Sequence, residues 1–203
     1  MKWRSFSWLL PALFLFIDKP IAEWLSGWHS LWLATYAKIA TFCINPAWIC
    51  SSFIMITLIM IAFDLKYQYK WIRSCASLGF GLLLIRVIKM CVGRSRPKLW
   101  LKQHIYTCKF FTFDSYYLSF PSSHSYAVFA LAFIVSKHFP KWRVPIFVIS
   151  ALLSSSRVIL HQHFASDIAG SCLIAYIIYL MVWKTKIGQA LEGLPDRIIQ
   201  KKA

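Results

Sequence analysis

Acidic residues are what this chain has least of, 7 Asp and Glu against 23 Lys and Arg in 203 residues, for a formal charge of +16. Charge of either sign is scarce too, at 15% of residues, where a soluble domain carries about 25%. With 59% of the chain apolar, these shortages exclude an ordinary soluble domain and place the chain in a membrane. The basic residues form no long tract, so anionic lipid is a more economical partner than nucleic acid, which is not expected to bind. Cys43, Cys50, Cys75, Cys91, Cys108 and Cys172 make no C-x-x-C and no zinc spacing. They read as small buried hydrophobes, with a Cys91–Cys108 bridge as the alternative if their loop faces an oxidising compartment.

A small-residue cleavage pattern is also missing. Lys2 and Arg4 precede an apolar run, Phe6 to Ile17, but Asp18, Lys19 and Pro20 follow it. The expectation is a retained first span, short against the roughly 20 residues a bilayer needs, with Trp3, Trp8 and the Lys19 stem at the interfaces. Residues 20–42 place Trp28, Leu31, Trp32 and Ile39 on one helical stripe, which suits a helix lying on the membrane surface. The alternative is that part of this stretch crosses the bilayer. A second span lies within 39–63, starting near Pro46, and further spans are expected at 72–90, 121–137, 144–159 and 164–183.

The expected fold is therefore all-α, a single membrane domain over residues 1–203 built as a six-transmembrane-helix bundle with an additional interfacial amphipathic helix. Lys2 and Arg4, the turns with Lys66, Lys70 and Arg73 and with Lys137, Lys141 and Arg143, and the tail from Lys184 all fall on one face. The positive-inside rule makes that face, with both termini, cytoplasmic. Residues 98–120 form a short outer-face loop.

That outer face nevertheless holds Lys89, Arg94, Arg96, Lys98, Lys102 and Lys109, against Asp114 alone between Arg86 and Phe120. Three segments meet there: KMCVGRSRP (89–97), PSSH (121–124) and SRVILHQHFASD (156–167). Lys89 and Arg96 would share a face if their helix continued, and Arg157 adds a planar donor from another segment; three cations near one point suit a phosphate. His163 and Asp167 stand four apart, so the carboxylate can fix the imidazole tautomer and leave the other nitrogen free to attack phosphorus. His124 can protonate the departing oxygen. Backbone N–H groups around Ser122 and Ser123, at a helix start, can face the anion.

These blocks resemble the type 2 phosphatidic acid phosphatase family of membrane lipid phosphatases. Lys89, Arg96 and Pro97 match its first motif, Pro121, Ser122 and His124 its second, and Ser156, Arg157, His163 and Asp167 its third. The usual second motif is P-S-G-H; here Ser123 replaces the glycine, which bears on the backbone path at the helix start. The resemblance implies that Lys89, Arg96 and Arg157 bind phosphate and that His163 forms a phosphohistidine. It gives Asp167 the part of orienting His163, and His124 those of acid and then base. No cofactor and no metal is implied.

Other readings of the same residues stay open. His161, His163 and Asp167 permit a metal site if a bent loop gathers them, although His161 is better read as a neighbour of the site or as exposed, and His104 has no geometric support. Ser156 is expected to support the turn or donate to Arg157 or phosphate. Arg86 and Arg94 either broaden the anion field or, for Arg86, satisfy a contact between helices. The aromatic stretch 110–120 is a membrane-interface rim or a lid. The substrate class is a phosphorylated membrane lipid at the outer, periplasmic face of a bacterial inner membrane. Undecaprenyl diphosphate leads among family-consistent choices, ahead of phosphatidylglycerophosphate, phosphatidate and lipid A. A phospholipid-binding or transport protein is the rival from another class, and no protein partner is indicated.

Overall fold

The computed structural model describes residues 16–28, 30–63 and 68–184. Most of the expected first span, the basic N-terminus, Lys66 and the tail beyond Lys184 lie outside the described residues. Among the described residues eight α-helices follow one another: α1 Asp18–Ser26, α2 Leu31–Cys43, α3 Pro46–Ala62, α4 Gln68–Val92, α5 Pro97–Gln103, α6 Ser123–His138, α7 Arg143–Ile159 and α8 Ala165–Lys184. Their boundaries follow local chemistry. Asn45 caps α3 by accepting from the Ala47 amide at 2.9 Å, with Pro46 in the first turn, and Ser122 caps α6.

Four apolar helical stretches are long enough to cross a membrane among the described residues: Leu31–Ala62, Trp71–Val92, Pro140–Ile159 and Ala165–Trp183. The fold is thus an all-α multi-pass membrane fold, and the expected count of six is met in part. The span expected at 121–137 appears as α6, whose 16 residues reach only ~24 Å against ~30 Å of hydrocarbon. It needs no lipid-spanning length because protein surrounds it: α3, α4, α7 and α8 all pack on α6, and Tyr126, Ala127, Phe129 and Ala130 are buried. Residues 20–42 divide into α1 and α2. The predicted stripe of Trp28, Leu31, Trp32 and Ile39 is exposed throughout, while Ala37 and Ala40 on the other side of α2 are buried where it packs against α7.

The central packing uses small residues to bring backbones together, as expected where lipid removes the hydrophobic drive between helices. Gly81 of α4 lies under the Tyr126 ring, where an added Cβ would sit 1.6 Å from the phenol oxygen, and that hydroxyl donates to the Ser77 carbonyl at 3.0 Å. Phe53, Leu78, Ile85, Phe129, Phe133 and Ile178 fill the space around it.

Gly93 decides what happens at the end of α4. Its φ of +56° is left-handed, its amide donates to the Lys89 carbonyl at 2.9 Å, and its own carbonyl accepts from Lys109 at 2.7 Å. The chain therefore turns inward, Arg94 bridges to Cys108, and α5 starts at Pro97. Lys89 and Arg96 are brought together by this turn, and the helix does not continue between them as a shared face would have required. The Cys91–Cys108 alternative is overturned, since both thiols are free; Cys91, just before the turn, is exposed and Cys108 only partly so.

Replacing Gly93 by alanine combines a left-handed φ with a Cβ only 1.7 Å from the Lys109 carbonyl oxygen. Gly93→Ala should lower stability by at least ~2 kcal/mol, read as a fall in thermal midpoint in detergent. Gly79→Ala, where no atom lies within 4 Å of an added Cβ, should leave the midpoint unchanged or raised.

Candidate active site

The C-terminal ends of α4 and α7 and the N-terminal ends of α6 and α8 meet at one end of the bundle, closed by the connection from α5 to α6. Three cations arrive there from separate elements. Lys89, in the last turn of α4, donates to the Leu118 carbonyl at 2.9 Å and more weakly to that of Ser119 at 3.4 Å. Arg96, at the start of α5, donates to the Gln162 side-chain oxygen, and Arg157 makes one long bond of 3.4 Å to Thr41. Among the described residues none of the three has a carboxylate partner, and the Nε of each arginine has no acceptor. Lys89 and Arg157 are buried, and Lys89 feels the charges of both arginines. Such a group of partly desolvated cations is costly unless an anion joins it.

His124, second residue of α6, is half-buried within electrostatic range of Arg157, Lys89 and Arg96. His163 precedes α8 and is buried, in range of Lys89 and Arg157. Its Nδ1 lies 2.7 Å from the Ser119 carbonyl oxygen. A carbonyl only accepts, so Nδ1 carries the hydrogen and Nε2 holds the lone pair. Burial, assisted by the charge of Lys89, holds the His163 imidazole down at about 3, so the ring is neutral at ordinary pH.

Asp167 is close to that ring, 3.7 Å from Nδ1, but the hydrogen bond goes to Ser119. The expectation that the carboxylate sets the tautomer is therefore corrected. The physical reason is competition for its oxygens. Oδ2 accepts from the Ser119 hydroxyl at 2.6 Å and the Phe164 amide at 2.8 Å, and Oδ1 is held by Arg94 at 2.5 Å.

Arg94 does not broaden the anion field either. Only 1% exposed, it reaches Asp167 with one guanidinium nitrogen and Asp18 of α1 with the other, at 2.6 Å, beside the Tyr106 hydroxyl at 2.6 Å. Ser166 completes the group. It accepts from Arg94 at 2.7 Å, and its hydroxyl and amide both donate to Asp18, at 2.5 and 3.0 Å. Burial pushes the Asp18 carboxyl up from its ordinary value, while Arg94 and Ser166 pull it back. Every neighbour of its two oxygens is a donor, so it stands as a carboxylate.

Other expected residues keep their place and change their partners. Ser122 caps α6, but its amide donates to the Ser171 hydroxyl at 2.8 Å. The helix-start amides without an acceptor among the described residues are those of Ser123 and His124. Ser156 donates to the Leu153 carbonyl at 2.6 Å and accepts from Thr41 at 3.1 Å, so it supports its turn and makes no bond to Arg157. Pro97 and Pro121 are both fully buried, the latter after a cis peptide bond. His161 turns away toward the Ala22 backbone, and no group of three or more His, Cys, Asp or Glu among the described residues is placed to hold a metal. Arg86, Lys98, Lys102 and His104 are exposed. In the 110–120 stretch, Phe110, Phe111, Phe113 and Tyr116 face outward, whereas Leu118 and Ser119 reach into the site.

Asp18, Ser119 and Thr41 escaped the sequence reading. Asp18 carried a signal, being one of 7 acidic residues and lying directly against an apolar run. Ser119 works through its main chain as much as its side chain, and no residue type announces that.

Comparison with known proteins bears on the family and the fold. Lipid A 1-phosphatase of Rhizobium johnstonii is 26% identical over an alignment covering 58% of this chain and 55% of that protein. Lipid A 1-phosphatase of Rhizobium etli is 30% identical, with 44% and 38% covered. The chain thus spans about half the length, or less, of the curated relatives it matches. A crystal structure of a transmembrane PAP2 type phosphatidylglycerolphosphate phosphatase from Bacillus subtilis superposes with a TM-score of 0.64 at 20% identity, covering 96% of each chain, which establishes the likeness of fold. The family model described as the PAP2 superfamily matches residues 70–188, more than half of the chain and all three motif blocks, and the chain belongs to that superfamily.

Proposed function

We propose that the protein hydrolyses a phosphate monoester on a membrane lipid by way of a phosphohistidine at His163. One observation carries the reading: three cations without carboxylate partners among the described residues gather beside a neutral histidine whose Nε2 has no hydrogen-bond partner among them. Lys89, Arg96 and Arg157 take the non-bridging oxygens, with the amides of Ser123 and His124 at the N-terminus of α6 as further donors. Nε2 of His163 attacks phosphorus as the bond to the lipid oxygen breaks, and His124 gives that oxygen its proton. Water, deprotonated by His124, then attacks the phosphohistidine, releasing phosphate and restoring both rings. Asp167 offsets the positive charge that the His163 ring gains on attack. The cations supply charge stabilisation within the protein, so the proposed route calls for no metal.

The names of the Rhizobium relatives favour a monoester on a glycolipid, lipid A, over the undecaprenyl diphosphate expected first. The setting we propose is a bacterial inner membrane. In this multi-pass bundle α6 serves as a short central span. The site then faces the periplasm and both termini the cytoplasm, because the site lies at the N-terminal end of α6 and the basic Lys137–Arg143 turn at its C-terminal end.

In detergent, the wild type should release phosphate from lipid A or phosphatidylglycerophosphate faster than from undecaprenyl diphosphate, and exhaustive chelation should leave the rate unchanged. His163→Ala and His124→Ala should each lower kcat by about 100-fold or more with folded yield retained, and rapid quenching should find label on His163. Asp167→Asn should keep measurable turnover, since Ser119 still fixes the tautomer. Binding of these lipids without any phosphate release by folded wild type would turn the reading to transport.

Orientation has its own measurement. In a background lacking the native cysteines, a single cysteine at Lys102 should react with a membrane-impermeant thiol reagent on intact spheroplasts, and one at Lys141 only after disruption. The reverse pattern in active protein would place the site in the cytoplasm.

A further inference from the structure

We infer that Asp18, contributed by α1 from outside the family-matched residues 70–188, is a positioning residue that leaves Asp167 a net negative charge to spend on His163. This rests on the proposed attack by His163. Asp167 sits 3.7 Å from the His163 ring yet is bonded at 2.5 Å to Arg94, a full cation that by itself would cancel it. The ring becomes positive when Nε2 bonds to phosphorus, and a neutral Arg94–Asp167 pair offers little to offset that.

Asp18 changes the sum. Its carboxylate takes the other guanidinium nitrogen at 2.6 Å, so two carboxylates share one cation and the three groups together carry one negative charge. All of this is buried, Arg94 and Asp18 at 1% exposure and Asp167 at none, so solvent does little to screen it. Asp18 reaches neither His163 nor the phosphate-facing cations through any direct bond; its contacts are Arg94 and Ser166. It acts on the reaction through Arg94 alone. The geometry also explains why an acid is needed at a helix start in so basic a chain. An amide at that position keeps an acceptor for the Ser166 amide but turns a donor toward Arg94, so the guanidinium contact goes with the charge and only the added substitution of Arg94 isolates the charge.

The test therefore separates charge from structure. Asp18→Asn is compared with wild type for phosphate release from lipid A and phosphatidylglycerophosphate in detergent, with thermal midpoint and folded yield measured alongside. The expected result is a kcat lower by about tenfold or more with KM within about twofold. Adding Arg94→Gln removes the cation that now neutralises Asp167, so the Asp18→Asn/Arg94→Gln protein should recover kcat relative to Asp18→Asn alone. A merely structural role predicts the opposite, a double variant worse than either single one, and that outcome overturns the inference. So does wild-type kcat in folded Asp18→Asn. If Asp18→Asn does not fold, the double variant decides: kcat within about fivefold of wild type supports the inference, and a larger loss overturns it. Failure of the wild type itself to release phosphate would instead sink the proposed function, and is recognised separately because it precedes any substitution.

Discussion

A guanidinium buried in a membrane protein must be paired, and the pairing of Arg94 with Asp18 and Asp167 organises the site end of this bundle. It ties α1 to the start of α8 and to the turn after α4, three pieces of chain far apart in sequence. Removing the guanidinium would leave two buried carboxylates without their counter-charge in a place that water does not reach. The left-handed turn at Gly93 immediately precedes Arg94 and ends α4 where the arginine enters this contact.

Two classes of cation at this end of the bundle are thereby separated. Arg94 is held by protein carboxylates, while Lys89, Arg96 and Arg157 meet carbonyl, amide and hydroxyl oxygens that carry no full charge. The desolvation of the second group is tolerated because each cation keeps at least one polar contact, and it leaves that end of the bundle suited to an anion. Seven acidic residues in the whole chain suffice for this division because two of them are committed to one arginine.

The connection Leu118–Phe120 is the other junction. Through Ser119 it accepts from His163 with its carbonyl, donates to Asp167 with its hydroxyl, and donates to the Arg94 carbonyl with its amide at 3.0 Å. Lys89 bonds the same strand of backbone. A loop that reads as aromatic and polar in sequence thus becomes the part that fixes the histidine tautomer, while its outward aromatics occupy the rim.

The sequence by itself determined the membrane setting, the helical class, the family and the identity of the residues that gather at the site. Apolar length and scarcity of charge are properties of residue type, and Lys89, Arg96, His124, Arg157, His163 and Asp167 carry chemistry recognisable from side chain and spacing alone. Helix neighbours were less legible. Hydropathy reports how apolar α6 is and cannot tell lipid from protein as its surroundings, so its short length at the centre of the bundle came only from packing. Spacing of four suggested that Asp167 holds His163, but the carboxylate has three better donors, two of them on other segments, and a main-chain carbonyl took its place. Asp18, Thr41 and Ser119 reach the site from 149, 126 and 48 residues before Asp167, Asp167 and Asp167 respectively. Such contacts depend on how helices cross in space, which only the tertiary structure decided.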